Sequence, residues 1–208
     1  MSECKRILES AHNLFMRIGL KSVSMDDIAR ESGVSKKTIY KCFDDKEALI
    51  DQVIHADINR EKQACMEFYA TTENAVQKMI NISRHVSYQH KDINPTVIFD
   101  LQKYYPKQWI KMNLFQKEFI HQSILQNITE GITEGLYRED IEPIAVARMY
   151  GTLIQGMMRQ LASKENTFDF KTLHLQMVSY HLHGICTEAG LSYLKKHIKQ
   201  IQEHSIQL

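Results

Sequence analysis

An all-α fold is predicted by three features of the chain. Apolar residues recur at three- and four-residue intervals from Ile7 to Ile185, no stretch alternates with period two, and Gly, Pro or polar clusters punctuate the periodic runs. Together they predict about nine to ten helices, divided into an N-terminal three-helix unit over 1–47 and a larger helical region over 48–208. A unit of some forty residues has too small a core to be comfortable alone, so it is expected to lean on the helices C-terminal to it.

The first helix carries Ile7, Ala11, Leu14, Phe15 and Ile18 on one stripe, and Gly19 ends it. Two short helices come next, each with the same opening chemistry. Ser24 is an N-cap, Asp27 completes an acidic variant of the capping box, and Val23 and Ile28 occupy the staple positions. Ser35 repeats the device with Val34 and Ile39, while Gly33 supplies the positive φ that closes the preceding helix. Helices joined by so tight a turn cross steeply, which makes a helix-turn-helix.

The second of these helices has two faces. Ile39, Cys42 and Phe43 point toward Ile28 and Ala29, whereas Lys37, Tyr40 and Lys41 project the other way with Lys36 at the edge, and that outer face carries no acid. A helix of this width enters the major groove of duplex DNA. The candidate DNA contacts are Ser24, Ser35, Lys36, Lys37, Thr38, Tyr40, Lys41 and Lys46, with Lys36, Lys37 and Lys41 expected at base edges and Tyr40 and Lys46 at phosphates. Three lysines alone would equally suit a solvated surface; the small, turn and apolar residues at the positions a helix pair needs decide for the groove.

Asp44 or Asp45 caps a fourth helix that continues through Leu49, Val53, Ile54, Ile58, Cys65 and Phe68 to a break at Thr71, Thr72 and Glu73. Ala75, Val76, Met79, Ile80 and Val86 make the next. Asn94 and Pro95 interrupt, a short helix carries Phe99 and Leu101, and Pro106 stands at a helix N1 position. One long run is expected from Trp109 through Met112, Phe115, Phe119, Ile128 and Ile132 to Gly135. Glu142 and Pro143 open a helix over 144–161 that is apolar on more than one face, with Gly151 and Gly156 permitting close approach. A polar loop over Ser163 to Asp169 precedes a helix carrying Leu173, Met177, Val178, Leu182, Ile185 and Cys186, ended by Gly190. Leu191 to His204 forms a more polar last one.

From Ile7 to Leu49 the chain resembles the TetR family of bacterial transcriptional regulators. The pattern is carried by Asp27, Ile28, Ala29, Gly33, Val34, Ser35, Tyr40 and Phe43, followed by Lys46 to Leu49. The resemblance implies a cytoplasmic, homodimeric regulator, most often a repressor, whose helices at about 143–161 and 171–189 meet their symmetry mates. It also implies an apolar or aromatic effector bound in the C-terminal domain, for which Phe99, Tyr104, Trp109, Met112, Phe115, Phe119, Tyr150 and Met157 are the candidate lining. Dimerisation follows from the DNA as well, since two recognition helices about 34 to 36 Å apart read successive major grooves of a near-palindrome. Lys37 stands where the family often has a small residue and Cys42 where a larger polar or aromatic one is common, so base preference does not carry over.

Twenty-six basic and 25 acidic side chains leave bulk charge uninformative, but residues 1–43 hold eight Lys or Arg against five acids, and the rest 18 against 20. The basic excess lies with the recognition helix. Cys4, Cys42, Cys65 and Cys186 have no C-x-x-C spacing, so neither a zinc site nor a disulfide framework is expected, and a reducing cytoplasm fits. The first residues carry acids and no apolar signal core, and 144–158 is too short to span a bilayer. Glu118 and His121 form a single E-x-x-H pair where iron-binding bundles need two, and no nucleophile elbow or phosphate loop is present; no cofactor and no enzymatic activity are expected. Two further readings remain open on the sequence: a helical small-molecule-binding or protein-association module without DNA contact, and a helix-bundle metalloenzyme.

Overall fold

The computed structural model describes residues 2–90, 94–161 and 168–203. Among them run eleven α-helices: α1 Glu3–Ile18, α2 Met25–Ser32, α3 Lys36–Cys42, α4 Lys46–Thr71, α5 Ala75–Gln89, α6 Pro95–Tyr104, α7 Pro106–Phe115, α8 His121–Thr133, α9 Pro143–Leu161, α10 Phe170–Ile185 and α11 Glu188–Glu203. A π-helical turn, Gln116–Ile120, joins α7 to α8, so the run expected from Trp109 to Gly135 is two helices with an extra residue fed between them. Counted as one, it brings the total to ten. No strand occurs among the described residues; Tyr137 and Cys186 form a single bridge. The polar loop expected at 163–169 lies outside them except for Phe168 and Asp169, as does His204.

Caps fall where the side-chain chemistry puts them. Ser2 accepts from the Lys5 amide and Asp45 from the Ala48 amide, and Gly19 with φ +99° closes α1. Asn74, beyond the expected break, accepts from the Gln77 amide and caps α5. Glu142 manages a long 3.4 Å contact to the Ile144 amide at the start of α9.

The helices gather into two compact units. The first consists of α1 to α3, α4 as far as Arg60, α6 and α7. Its core joins Ile7, Ala11 and Phe15 of α1, Ile28 of α2 and Ile39 of α3 to Leu49, Ile50 and Val53 of α4 and Val97 and Leu101 of α6. The three-helix unit therefore closes its core with α4 and α6. The amino end of α6 also holds the α1–α2 turn. Asn94 donates to the carbonyls of Met16 and Arg17, Asp100 accepts from the Lys21 amide at 2.7 Å, and a Cβ on Gly19 would meet Thr96 Oγ1 at 2.5 Å.

The second unit holds the rest of α4, α5, the π turn, α8, α9 as far as Arg159, α10 and α11. In it α5 packs on α8, α10 and α11. Tyr137 is fully buried, its ring over Gly131, where any Cβ would clash at 2.1 Å, and its hydroxyl donates to Asn127 Oδ1. Asn127 donates in turn to the Ala75 carbonyl, and Glu134 accepts from the Ala75 amide.

Two expectations are corrected. The helix expected to run to Gly190 ends at Ile185, because Cys186 takes extended backbone and Arg138 donates to the Ile185 carbonyl. Gly190 lies within α11, where a side chain would strike the Leu136 carbonyl oxygen at 2.1 Å. Close approach, not helix termination, is what requires this glycine. Cysteine spacing likewise misled, since Cys4 and Cys42 form a disulfide, their Cα atoms 5.6 Å apart across α1 and α3.

His12 of α1 reaches Asp57 of α4 at 3.3 Å, and that hydrogen bond raises the imidazole above its ordinary value against the opposing effect of burial. A raised folded-state value stabilises the fold fully below the unfolded value near 6.5, and the contribution fades as pH climbs past the folded one. Chemical denaturation at pH 5.5 and 8.5 is expected to give a difference of about 0.5 to 1 kcal/mol from this pair, and His12→Ala to erase that part of the pH dependence.

Candidate nucleic-acid interface

The interface is built by the turn. Gly33 sits in the left-handed region, φ +63°, and the amides of Gly33 and Val34 bond back to α2 carbonyls, which stops α2 and redirects the chain within three residues. Ser24 and Asp27 satisfy each other through a complete capping box, and the Ser24 hydroxyl holds the Asp27 carboxyl below its usual range. Ser35 accepts from the Thr38 amide at 3.1 Å, and the two hydroxyls lie 2.9 Å apart. These caps fix where α3 begins, and so which of its side chains face outward.

Of the seven α3 residues only Ile39 is fully buried. It anchors the helix from below while Lys37, Tyr40 and Lys41 stand in solvent, Tyr40 with 47% of its surface exposed. An exposed tyrosine beside two lysines with no acid on the same helix is compatible with phosphate and base-edge contact. Lys36 differs from its neighbours. Its ammonium pairs with Asp26 of α2 at 3.0 Å, and this partner raises its pKa. Sequence reasoning missed Asp26, because a pair ten residues apart follows no helical period.

Lys46 opens α4 and reaches the Lys21 carbonyl at 3.4 Å. Burial, followed by the nearby Lys21 ammonium, pushes its own ammonium below the ordinary lysine value. Lys21 in turn lies 4.9 Å over the Tyr104 ring. Two ammoniums near the start of α4 repel each other, so a phosphate placed between them relieves that repulsion.

The eight aromatic and methionine candidates divide between the two units. Phe99 and Tyr104 meet edge to face, both substantially exposed, with Lys103 over each ring. Trp109 and Met112 pack on the core of the first unit, and Phe115 ends α7. In the second unit the Phe119 ring lies under Lys62, Tyr150 is buried edge to face with His181, and Met157 is buried. Buried polar groups join them there. Ser83 Oγ, His121 Nε2 and His181 Nε2 lie out of solvent with no hydrogen-bond partner among the described residues. Burial holds His181 down at about 4, so it stays neutral at physiological pH.

Comparison with known proteins converges on the amino end. Residues 7–53 match the family described as bacterial regulatory proteins, tetR family. An uncharacterized HTH-type transcriptional regulator of Bacillus subtilis, YvaF, is 28% identical over 115 residues, covering 55% of this chain and 60% of its own length, which is under two thirds of that relative. Among solved structures, a transcriptional regulator from Cytophaga hutchinsonii superposes with a TM-score of 0.70 at 22% identity, over 88% of this chain and 98% of that one. Another, from Saccharomonospora viridis in complex with choline, gives 0.69 at 20% identity over 89% and 98%. At these identities the structural likeness speaks for the fold.

Lys37→Ala and Lys41→Ala are expected to weaken specific DNA binding by roughly 1 to 3 kcal/mol each, and Lys36→Ala by less, since its ammonium is already paired with Asp26. Lys46→Ala is expected to weaken binding to all duplexes alike and to reduce the slope of log affinity against log salt by about 0.9. Fluorescence anisotropy across a salt series reads both.

Proposed function

We propose that this chain, which belongs to the TetR family of bacterial regulatory proteins, is a cytoplasmic, sequence-specific repressor. It binds a near-palindromic operator as a homodimer and is released by a small-molecule effector. The observation that carries the reading is α3 itself: an acid-free outer face with Lys37, Tyr40 and Lys41 exposed, set by the Gly33 turn and seated through Ile39. In this reading 1–47 contacts DNA and 48–208 serves the effector and the partner subunit.

Dimerisation is supported by the surface of α9 and α10. Met149 and Leu153 are 64% and 43% exposed, Tyr180 is 77% exposed, and nothing lies within 4 Å of a Cβ added to Gly151, Gly156 or Gly184. Positions 149, 153 and 156 share one face of α9, as 180 and 184 do of α10. Apolar side chains beside bare glycines suit a partner helix lying close. Leu153→Glu is expected to weaken self-association by about 2 kcal/mol or more, seen in sedimentation as a shift toward single chains with helicity unchanged.

Effector binding is supported by the composition of the second unit, where buried Tyr150 and Met157 accompany the unpartnered Ser83, His121 and His181 atoms. Those atoms favour an apolar or aromatic molecule that also carries hydrogen-bonding groups, since a buried polar atom left unpaired costs about 1 to 3 kcal/mol. That a neighbour of the same fold holds choline supports a small-molecule role. The passage of α4, a single helix from Lys46 to Thr71, into the helices around Tyr69 and Ser123 gives an effector an element through which to act on α3. A coupling of about 1 to 3 kcal/mol weakens operator binding 5- to 150-fold.

The testing experiment is selection of bound duplexes from a random pool. Recovery of two inverted half-sites with centres one helical turn or a multiple of it apart upholds the reading; no enrichment at low salt ends it.

A further inference from the structure

We propose that Cys4 and Cys42 are a reversible thiol–disulfide couple that tethers the recognition helix to α1 and makes DNA affinity respond to the thiol redox state. The inference rests on the DNA-binding reading of α3. Cys4 lies in the first turn of α1 and Cys42 is the last residue of α3, and the two are joined in the structure. Cys4 is exposed to solvent, and Cys42 is half-buried at the edge of an open groove of about 640 Å³ that it lines with Phe43, Asp44 and Gln108. Cys65 and Cys186 are buried, and burial pushes both thiols up, away from the reactive thiolate. In a reducing compartment a disulfide of this kind forms transiently, in answer to oxidants.

Position gives the couple its consequence. A helix of seven residues with a single fully buried side chain is weakly held by packing. A covalent link at its last residue then removes much of its freedom. Cys42 shares the inner face with Ile39, so the link leaves Lys37, Tyr40 and Lys41 clear. Holding α3 in its binding geometry beforehand lowers the ordering cost of association, so the oxidised form is the tight binder.

The chemistry balances with a low-molecular-weight disulfide as oxidant. The Cys4 thiolate attacks one sulfur of the oxidant; that disulfide breaks and the first thiolate leaves. The Cys42 thiolate then attacks Cys4 Sγ, breaking the mixed disulfide and releasing the second. Two cysteine thiols are oxidised, one disulfide is reduced to two thiols, and the two cysteine protons pass through solvent to the departing thiolates.

The test equilibrates the full chain, first reduced, in buffers of glutathione and glutathione disulfide, alongside Cys4→Ser and Cys42→Ser. Intact mass and non-reducing peptide maps follow the Cys4–Cys42 link, amide exchange follows residues 36–43, and anisotropy follows a duplex selected on the oxidised protein. Expected are a link that forms and reverses, α3 amides at least tenfold slower to exchange when oxidised, and duplex binding roughly fivefold or more tighter, with both serine variants held at the reduced values. Failure of the link to form at any buffer ratio overturns the proposal, as does equal exchange or equal duplex affinity in the two forms. Redox-dependent exchange in a protein that binds no duplex in either form upholds the tether but overturns the DNA-binding reading, and with it the regulatory half of the proposal.

Discussion

The seat of Ile39 is the interaction on which the functional part of the molecule depends. A helix of seven residues has no stability of its own, because nucleation consumes most of the hydrogen bonds so short a segment can make. α3 exists because its one fully buried side chain enters a core shared by α1, α2, α4 and α6, and because Ser35 and the Gly33 turn fix its start. Everything it presents outward is a consequence of which residue points inward.

The same core explains why the unit that carries α3 extends past the first three helices. Leu49, Ile50 and Val53 of α4 and Val97 and Leu101 of α6 are as buried as the residues of α1 and α2. Charge reinforces the arrangement at its edge, where Lys111 of α7 meets Asp51 of α4 at 2.6 Å and His12 meets Asp57. Helices far along the sequence are thus structural parts of the unit that carries α3, which is the physical requirement for any signal to reach it.

The second unit is organised by close approach and buried hydrogen bonds. Gly131 admits the Tyr137 ring, Gly190 admits the Leu136 carbonyl, and Asn127 links Tyr137 to the start of α5. The glycines of α9 and α10 face open space instead. Two kinds of glycine, one filled from within the chain and one left bare, separate the interior from the open surface of α9 and α10.

The sequence by itself determined the helix-turn-helix, because everything in it is local: Ser24 with Asp27, Gly33, Ser35 and the stripe of Ile28 and Ile39 act within one or two turns. It also determined the all-α class and most helix starts, where proline and capping residues act on their own neighbours. Only the tertiary structure decided what depends on residues distant in the chain. The Lys36–Asp26 pair, the Cys4–Cys42 bond, the grip of Asn94 and Asp100 on the α1–α2 turn, and Gly190 as a contact position instead of a stop all follow from helix packing. Periodicity tells which face of a helix is buried, but not which other helix buries it.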